Sequence, residues 1–188
     1  MVEERELKEQ NILQLIIRFS GPAIAGMMMM SIYNIVDRIF VGQFVGPIGI
    51  AGLAVAFPLM IIKGSTGILV GSGGASLLSI RMGEGRREEA EKILGHAFSL
   101  VAVLGIALTI IGLMFTDELM LLFGASEKIL PYAVDYVRII LLGNVFHLIS
   151  MGANNCIRAE GSPRTSMVTN FIGGGTNIIL DAIFIMGF

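Results

Sequence analysis

The sequence is poor in charged residues and in cysteine, and both shortages limit what the protein can be. Charged residues make up 15% of the 188-residue chain, whereas soluble domains carry about 25%. The single cysteine, Cys156, excludes an intrachain disulfide and a cysteine-based metal cluster. The sequence also lacks a recognisable Ser-His-Asp set, Cys-His cluster or HExxH pattern. These absences argue against a soluble domain and against an enzyme, and nothing indicates a cofactor or a nucleic acid partner.

Apolar residues dominate instead, and they occur in long runs. Hydrophobic residues make up 54% of the chain and the mean hydropathy is +0.80. Several runs reach about 20 residues, the length that a helix needs to cross the hydrocarbon core of a bilayer. One such run would also suit a buried helix of a soluble protein, but five would not. We therefore predict an all-α membrane protein, a polytopic transmembrane helix bundle with spans at 12–45, 48–80, 93–115, 131–157 and 165–188.

Lysine and arginine concentrate on one side of the predicted bundle. They lie in the N-terminal segment (Arg5, Lys8, Arg18), after the second span (Arg81, Arg86, Arg87, Lys92) and after the fourth span (Arg158, Arg164). Because basic loops stay in the cytoplasm, we predict a multi-pass protein of the cell membrane with a cytoplasmic N-terminus. The mainly acidic start, MVEERELKEQ, differs from a signal peptide, and we expect it to stay attached at the surface of the lipid bilayer.

Two carboxylates lie inside apolar segments, which have the sequences NIVDRIFVG and TNIILDAIFIMGF. Asp37 follows Asn34 by three residues and Asp181 follows Asn177 by four, spacings that put amide and carboxylate on one helix face. The predicted topology makes the first and fifth spans parallel. Asp37 and Asp181 then lie roughly 28 and 25 Å beyond the last basic residue before each span, at ~1.5 Å per residue. The two acids are therefore expected at similar depth, in the outer half of the membrane.

An ionisable residue in a membrane span normally faces a protein interior or a water-filled cavity, because a charge in hydrocarbon costs about 2.5 kcal/mol or more. An amide and a carboxylate together can hold a proton or contribute oxygens to a Na⁺ shell. A purely structural role is the alternative to an ion site. Arg38 could neutralise Asp37 locally, and either acid could serve helix packing alone. Lys63 could pair with an acid or reach a surface, and His147 could relay protons or simply pack.

Four segments together resemble the multidrug and toxic compound extrusion (MATE) transporters. They are GPAIAGMMMMSIYNIVDRIFVGQFVG, SIRMGEGRREEAEKILGHA, NCIRAEGSPRTSM and TNIILDAIFIMG, and they occur in the order and spacing of the family. The sequence is most similar to the prokaryotic branch. Members have twelve helices in two six-helix lobes. The resemblance therefore implies that the chain is an incomplete N-terminal lobe, with about five of six helices, and that the C-terminal lobe is missing.

The resemblance also implies a function and a set of site residues. The protein would be a secondary antiporter that takes in H⁺ or Na⁺ and exports organic cations, and this part of it would be inactive alone. The coupling residues, which would also hold any Na⁺, would be Asp37, Asn177 and Asp181. The substrate cavity would include Tyr33, Asn34, Asn154 and Asn155, and the hinge of the first helix would be Pro22.

Two other functions stay open at this point. The first is a flippase for a lipid-linked intermediate, as in relatives of the same superfamily. A strongly basic cavity would favour that cargo, whereas the predicted cavity is mainly acidic, with Lys63 the main exception. The second is a membrane assembly partner or sensor that transports nothing, in which the buried carboxylates only fix helix packing.

Overall fold

The computed structural model describes residues 12–186, except the side chains of Leu15, Ile185 and Met186. The predicted surface segment at the N-terminus and the last two residues of the predicted fifth span lie outside this range. The secondary structure of the described part is helical. In chain order its helices are α1 Ile12–Phe44, α2 Pro47–Gly83, α3 Arg87–Met114, α4 Thr116–Leu122, α5 Leu130–Leu142, α6 Asn144–Ala159 and α7 Pro163–Met186.

The helices have the lengths expected of membrane spans. By length and composition, α1, α2, α3 and α7 can each cross a bilayer. The pair α5 and α6 passes the same test together, but the two helices meet at an angle of 57°. The prediction of an all-α bundle with about five spans is therefore confirmed. The predicted fourth span is broken at Gly143 rather than continuous.

Short turns with glycine and proline reverse the chain between consecutive spans. Gly46 has φ +85°, a left-handed conformation that favours glycine, and Pro47 then begins α2. The turn between α6 and α7 repeats the pattern, with Gly161 at φ +83° and Pro163 at the start of α7. These turns make α1 antiparallel to α2 and α6 antiparallel to α7. Helices α1 and α7 run in the same direction, because Gly26 of α1 packs against Asn170 of α7 and, further along both helices, Tyr33 packs against Gly174.

One end of the bundle carries most of the described charge, and we call it the charged end. It includes the turn between α2 and α3 and the turn between α6 and α7. Arg81 donates to Glu84 at 2.7 Å and lies 3.4 Å from Glu89, while Arg86 pairs with both acids. These side chains are largely exposed, and such surface pairs contribute little to stability.

Helices α2, α3, α5 and α6 form a compact group with the main apolar core. Its buried side chains include Leu59, Val101, Val137, Leu141 and Leu148, and α4 covers one end with Met120. Small residues allow close approach of the helices. A Cβ on Gly67 would lie 2.9 Å from Leu148 Cδ2, so α2 and α6 nearly touch at this point.

Three hydrogen bonds link the break between α5 and α6 to α3. Thr109 Oγ1 donates to the Leu141 carbonyl at 3.2 Å, close to the end of α5. Asn144 Nδ2 donates to the Gly105 carbonyl and to Thr109 Oγ1, both at 3.3 Å. The bond of Thr109 to the Leu141 carbonyl compensates a backbone group that the broken membrane helix frees. The bend of 57° is therefore a property of three packed helices, not of Gly143 alone.

Helices α1 and α7 pack chiefly on each other. They meet the other helices mainly near the two ends of the bundle. At one end, Gly42 lies against Ile50, and at the charged end Asn154 bonds to Thr169. We call the space between the α1–α7 pair and the group of α2, α5 and α6 the cleft.

Candidate functional site

Asp37 of α1 and Asp181 of α7 lie side by side. The contacts of the two helices set their register, because Gly26 packs against Asn170 and Gly174 packs against Tyr33. One helical turn beyond Tyr33, Asp37 lies at the level of the segment of α7 that contains Asp181. The two carboxylates interact electrostatically, and both side chains are half-buried. The structure thus brings together two acids that are far apart in the sequence.

The second feature of the site is a pair of buried acceptors on α7. Asn177 Oδ1 and Asp181 Oδ2 are buried and accept no hydrogen bond from any described residue. They are four residues apart, so they lie on the same face of the helix. A buried acceptor without a donor costs about 1–3 kcal/mol. The arrangement is suited to a small cation or a proton that would bind to these oxygens.

Tyr136 is a site residue that the sequence analysis missed. It lies on α5, across the cleft from α1, and interacts electrostatically with Asp37 and Arg38. Nothing in the periodicity of its segment distinguishes it from the apolar neighbours. The available signal was chemical, since a tyrosine hydroxyl inside an apolar span usually needs a polar partner.

Arg38 directly follows Asp37, and the sequence left open that it neutralises this acid locally. It interacts electrostatically with Asp37, but its side chain is exposed and it forms no ion pair with that acid among the described residues. Asp37 therefore interacts with Asp181, Tyr136 and Arg38 together.

The predicted cavity residues on α1 occupy two different faces. Tyr33 packs against Gly174 in the contact between α1 and α7, one turn from Asp37. Asn34 is exposed, and its amide donates to the Met30 carbonyl of its own helix at 2.7 Å. It lines a shallow depression that includes Arg38 but not Asp37. Tyr33 is thus near the acid pair, whereas Asn34 faces outward from it.

Asn154 and Asn155, also predicted to lie in the cavity, form contacts near the charged end. Asn154 Oδ1 accepts from Ser166 Oγ, and Asn154 Nδ2 donates to Thr169 Oγ1 at 3.2 Å. Asn155 Oδ1 accepts from Arg158. These amides link α6 to α7 or bond within α6, and the structure does not bring them to the two acids.

The predicted hinge, Pro22, lies inside α1, and the helix continues through it. It is 15 residues before Asp37, about 22 Å along the helix. The structure therefore places Pro22 far from the acid pair, and a hinge there would act through the length of α1.

Lys63 and His147 form a basic pair on the other side of the cleft. Lys63 is 8% exposed and interacts electrostatically with His147 of α6. Among the described residues Lys63 has no ion pair, with Asp37, Asp181 or any other acid. The interpretation of Lys63 as a counter-ion of these carboxylates does not apply to this conformation.

The site offers oxygen ligands but no transition-metal centre. Within residues 12–186, no group of three or more histidine, cysteine, aspartate or glutamate side chains could hold a metal ion. Carboxylate and amide oxygens remain, from Asp37, Asn177 and Asp181. Such groups inside a membrane bundle bind protons or sodium ions in many transporters.

The profile of the MatE family matches residues 22–183. The chain is 29% identical to the multidrug export protein MepA of Staphylococcus haemolyticus, over 96% of this chain and 40% of that protein. It is 28% identical to the FAD transporter of Shewanella oneidensis, over 100% of this chain and 41% of that protein. The chain therefore spans about two fifths of the length of these relatives.

Solved structures share the fold. The MATE multidrug transporter DinF-BH, in complex with rhodamine 6G, superposes with a TM-score of 0.88 and 40% identity, over 95% of this chain and 41% of that chain. An outward-facing MATE family transporter of the MOP superfamily superposes with a TM-score of 0.89 and 29% identity, over 98% and 41% of the two chains.

Proposed function

This chain belongs to the MatE family of transporters, and we propose that it forms the N-terminal lobe of an antiporter that exports organic cations in exchange for H⁺ or Na⁺. One observation carries the proposal. Two carboxylates from α1 and α7 interact across a helix contact, and Asn177 Oδ1 and Asp181 Oδ2 beside them are buried without donors. This is the arrangement that a reversible cation site requires.

Competition for negative charge would couple the two cations. When Asp37 and Asp181 are ionised, they repel each other and attract an organic cation entering the cleft. A proton or Na⁺ on the same oxygens relieves the repulsion and removes the attraction. The small ion and the organic cation would each bind best to a different conformation of the protein. Binding of one would then shift the populations of the two conformations and so change the affinity for the other. Export then follows from the inward gradient of the small ion.

Alternating access requires a second body against which this lobe can move. The relatives are about 2.5 times longer than the part that this chain matches, which leaves room for a C-terminal lobe. Helices α1 and α7 are largely exposed here and could contact such a partner. We propose that residues 1–188 do not transport alone.

The distribution of charge supports an orientation for the lobe. Arginine and lysine side chains concentrate at the charged end, where α2 ends and α3 begins and where α6 is joined to α7. By the positive-inside rule, that end would face the cytoplasm of a cell membrane. The acid pair would then lie nearer the external surface, where the coupling ion enters.

A flippase for a lipid-linked intermediate is the second candidate from the sequence, and the FAD transporter among the relatives is named for an anionic cargo. The basic groups on the cleft side of α2 and α6 are Lys63 and His147, whereas the residues with buried free oxygens are acidic or amide. This balance favours organic cations as the main substrates. A sensor or assembly role would leave the unpaired acceptors of Asn177 and Asp181 without a function.

The test is transport by the full-length protein in proteoliposomes, with rhodamine 6G as the substrate and an H⁺ or Na⁺ gradient imposed alone. One of the two gradients should drive efflux. Asp181→Asn should abolish gradient-driven efflux and leave the thermal melting of the purified protein unchanged. Asp135→Asn, at an exposed aspartate of α5, is the matched control and should transport normally. Efflux that ignores both gradients, or persists unchanged in Asp181→Asn, would exclude the proposed coupling.

A further inference from the structure

We propose that a cavity at the charged end, between α1 and the turn that joins α6 to α7, binds the phosphate headgroup of an anionic lipid in the adjacent leaflet. The inference goes beyond the proposed function, because the site lies outside the cleft and takes no part in the exchange of cations. It uses the proposed orientation only to identify that leaflet as the cytoplasmic one.

The cavity has walls from two membrane spans. Arg18 and Phe19 of α1 form one wall, and residues 161–165, from the turn into the start of α7, form the other. Its volume is about 190 Å³, whereas pockets for drug-sized ligands measure about 300–1,000 Å³. Arg18 is 19 residues before Asp37, about 28 Å along α1. The cavity is therefore suited to a headgroup and lies far from the acid pair.

The turn side of the cavity presents hydrogen-bond donors that have no acceptor. The guanidinium of Arg164 is exposed and forms no ion pair or hydrogen bond within residues 12–186. The hydroxyls of Ser162 and Thr165 also have no partner in that range. Arginine can bind two phosphate oxygens through parallel N–H groups, and each hydroxyl adds a single donor. Three side chains within four consecutive residues therefore offer donors to one phosphate group.

The charge around the cavity is positive. Arg18 contributes a second guanidinium from the opposite wall. No acidic side chain of the described part of the chain lines the cavity, and Glu160, which precedes the turn, is not among the lining residues. Helix α7 begins here, and the N-terminus of a helix adds partial positive charge to that of the side chains. Two like charges around one cavity repel each other, and a bound anion relieves this repulsion.

Apolar side chains beside the cavity favour a lipid over a free anion. Val168 and Ile172 follow Thr165 by three and seven residues, so they continue its face of α7 toward the middle of the span. They are 47% and 64% exposed, and Ile17 beside Arg18 is 63% exposed. An acyl chain can lie along this apolar strip while the headgroup occupies the cavity. Basic pockets between membrane helices on the cytoplasmic side bind lipid headgroups in this way.

The experiment measures lipid binding to the purified full-length protein by native mass spectrometry. The probes are phosphatidylglycerol and phosphatidylcholine with identical acyl chains, and phosphatidylglycerol, which has a net negative charge, should bind more tightly. Arg164→Gln should weaken its binding at least about fivefold, the scale of one basic residue beside an anionic lipid. It should leave the binding of phosphatidylcholine unchanged. Arg87→Gln, at an exposed arginine of the same end, is the matched control and should change neither.

Thr165→Val provides a second route if Arg164→Gln does not fold, because it removes an exposed hydroxyl without changing the charge. It should lower the affinity for phosphatidylglycerol about threefold, the scale of a neutral hydrogen bond. Equal losses in Arg164→Gln and Arg87→Gln would indicate an effect of net charge and overturn the site. Equal affinity of the wild type for the two lipids would also overturn it. Displacement of the lipid by millimolar inorganic phosphate would identify a free anion as the ligand and overturn the assignment to a lipid.

The lipid site and the proposed function can fail separately. A wild-type protein that exports rhodamine 6G under an ion gradient, but shows no preference for phosphatidylglycerol, would overturn this inference alone. A protein that prefers phosphatidylglycerol, but exports no substrate under either gradient, would overturn the proposed function alone.

Discussion

Gly174 of α7 lies directly against Tyr33 of α1. A Cβ built on this glycine would lie 3.2 Å from Tyr33 Cδ1 and 3.1 Å from two atoms of Met29. Those distances are shorter than ordinary van der Waals contact, so a side chain at this position requires Met29 or Tyr33 to move by a few tenths of an ångström. The contact lies one turn from Asp37 and one turn from Asn177. The geometry of the acid pair therefore depends on a position without a side chain.

Gly174→Ala is expected to separate α1 from α7 and to destabilise the protein by about 1–3 kcal/mol, the usual cost of overpacking. Thermal melting of the purified full-length protein checks this. Gly173→Ala is the matched control, because a Cβ there would meet no atom within 4 Å. Alanine also has the higher helix propensity, so the control should melt at the same or a higher temperature. Equal melting of the two variants would contradict the close contact.

Tyr136→Phe is expected to lower the apparent affinity of the transporter for the coupling ion. The substitution removes a hydroxyl that interacts electrostatically with Asp37 without a hydrogen bond to it among the described residues, so the expected fall in apparent ion affinity is about fivefold, or ~1 kcal/mol. Efflux measured against the concentration of the coupling ion gives that affinity. Tyr132→Phe, at an exposed tyrosine one turn earlier on α5, should behave as the wild type. Similar curves for both variants would remove Tyr136 from the site.

Asn144→Ala is expected to destabilise the protein by about 1–3 kcal/mol. The side chain is 0% exposed and donates to two groups of α3 at the break between α5 and α6, so its removal deletes two hydrogen bonds and leaves a cavity. Asn34→Ala removes an exposed amide that bonds only to its own helix, and it should change stability by less than about 0.5 kcal/mol. Thermal melting distinguishes the two, and a stable Asn144→Ala would show that the break needs no link to α3.

Acid is expected to loosen the turn between α2 and α3. The hydrogen bond from Arg81 lowers the pKa of Glu84, so the folded protein binds fewer protons at this site than the unfolded chain. The stabilisation is complete above the ordinary glutamate pKa of about 4.3 and is lost as the pH falls through the lowered value. Glu84→Gln should reduce the fall in melting temperature over that interval. Glu91→Gln, at an exposed glutamate of α3, should leave the fall unchanged.

The spans were predictable because hydrocarbon imposes a strong requirement on composition. A run of apolar residues long enough to cross a bilayer must form a helix that satisfies its own backbone groups. The spans of α1, α2, α3 and α7 follow from that rule. The break at Gly143 does not, because the run 131–157 contains no proline after Pro131 and no strong interruption at the break. The structure instead shows what links the break to α3: Thr109 of α3 bonds to the Leu141 carbonyl, and Asn144 of α6 bonds to Gly105 and Thr109.

The acid pair was predictable for a similar reason. A charge is costly in an apolar segment, so Asp37 and Asp181 were conspicuous, and parallel spans put them at similar depth. The partners of Asn154, Asn155 and Tyr136 were not predictable in the same way. An amide or a phenol can bond to any helix that packs against it, and sequence spacing gives no information about which helix that is.

The sequence by itself determined that this chain forms membrane-spanning helices and which residues carry unfavourable charge. The tertiary structure decided which helix faces meet. It placed Tyr136 opposite Asp37, turned Asn154 toward Ser166 and Thr169, and left Lys63 buried without an acid. The physical reason is that insertion depends on the solvation of each segment alone, whereas a contact between segments depends on the shapes of two helices and on the small residues between them.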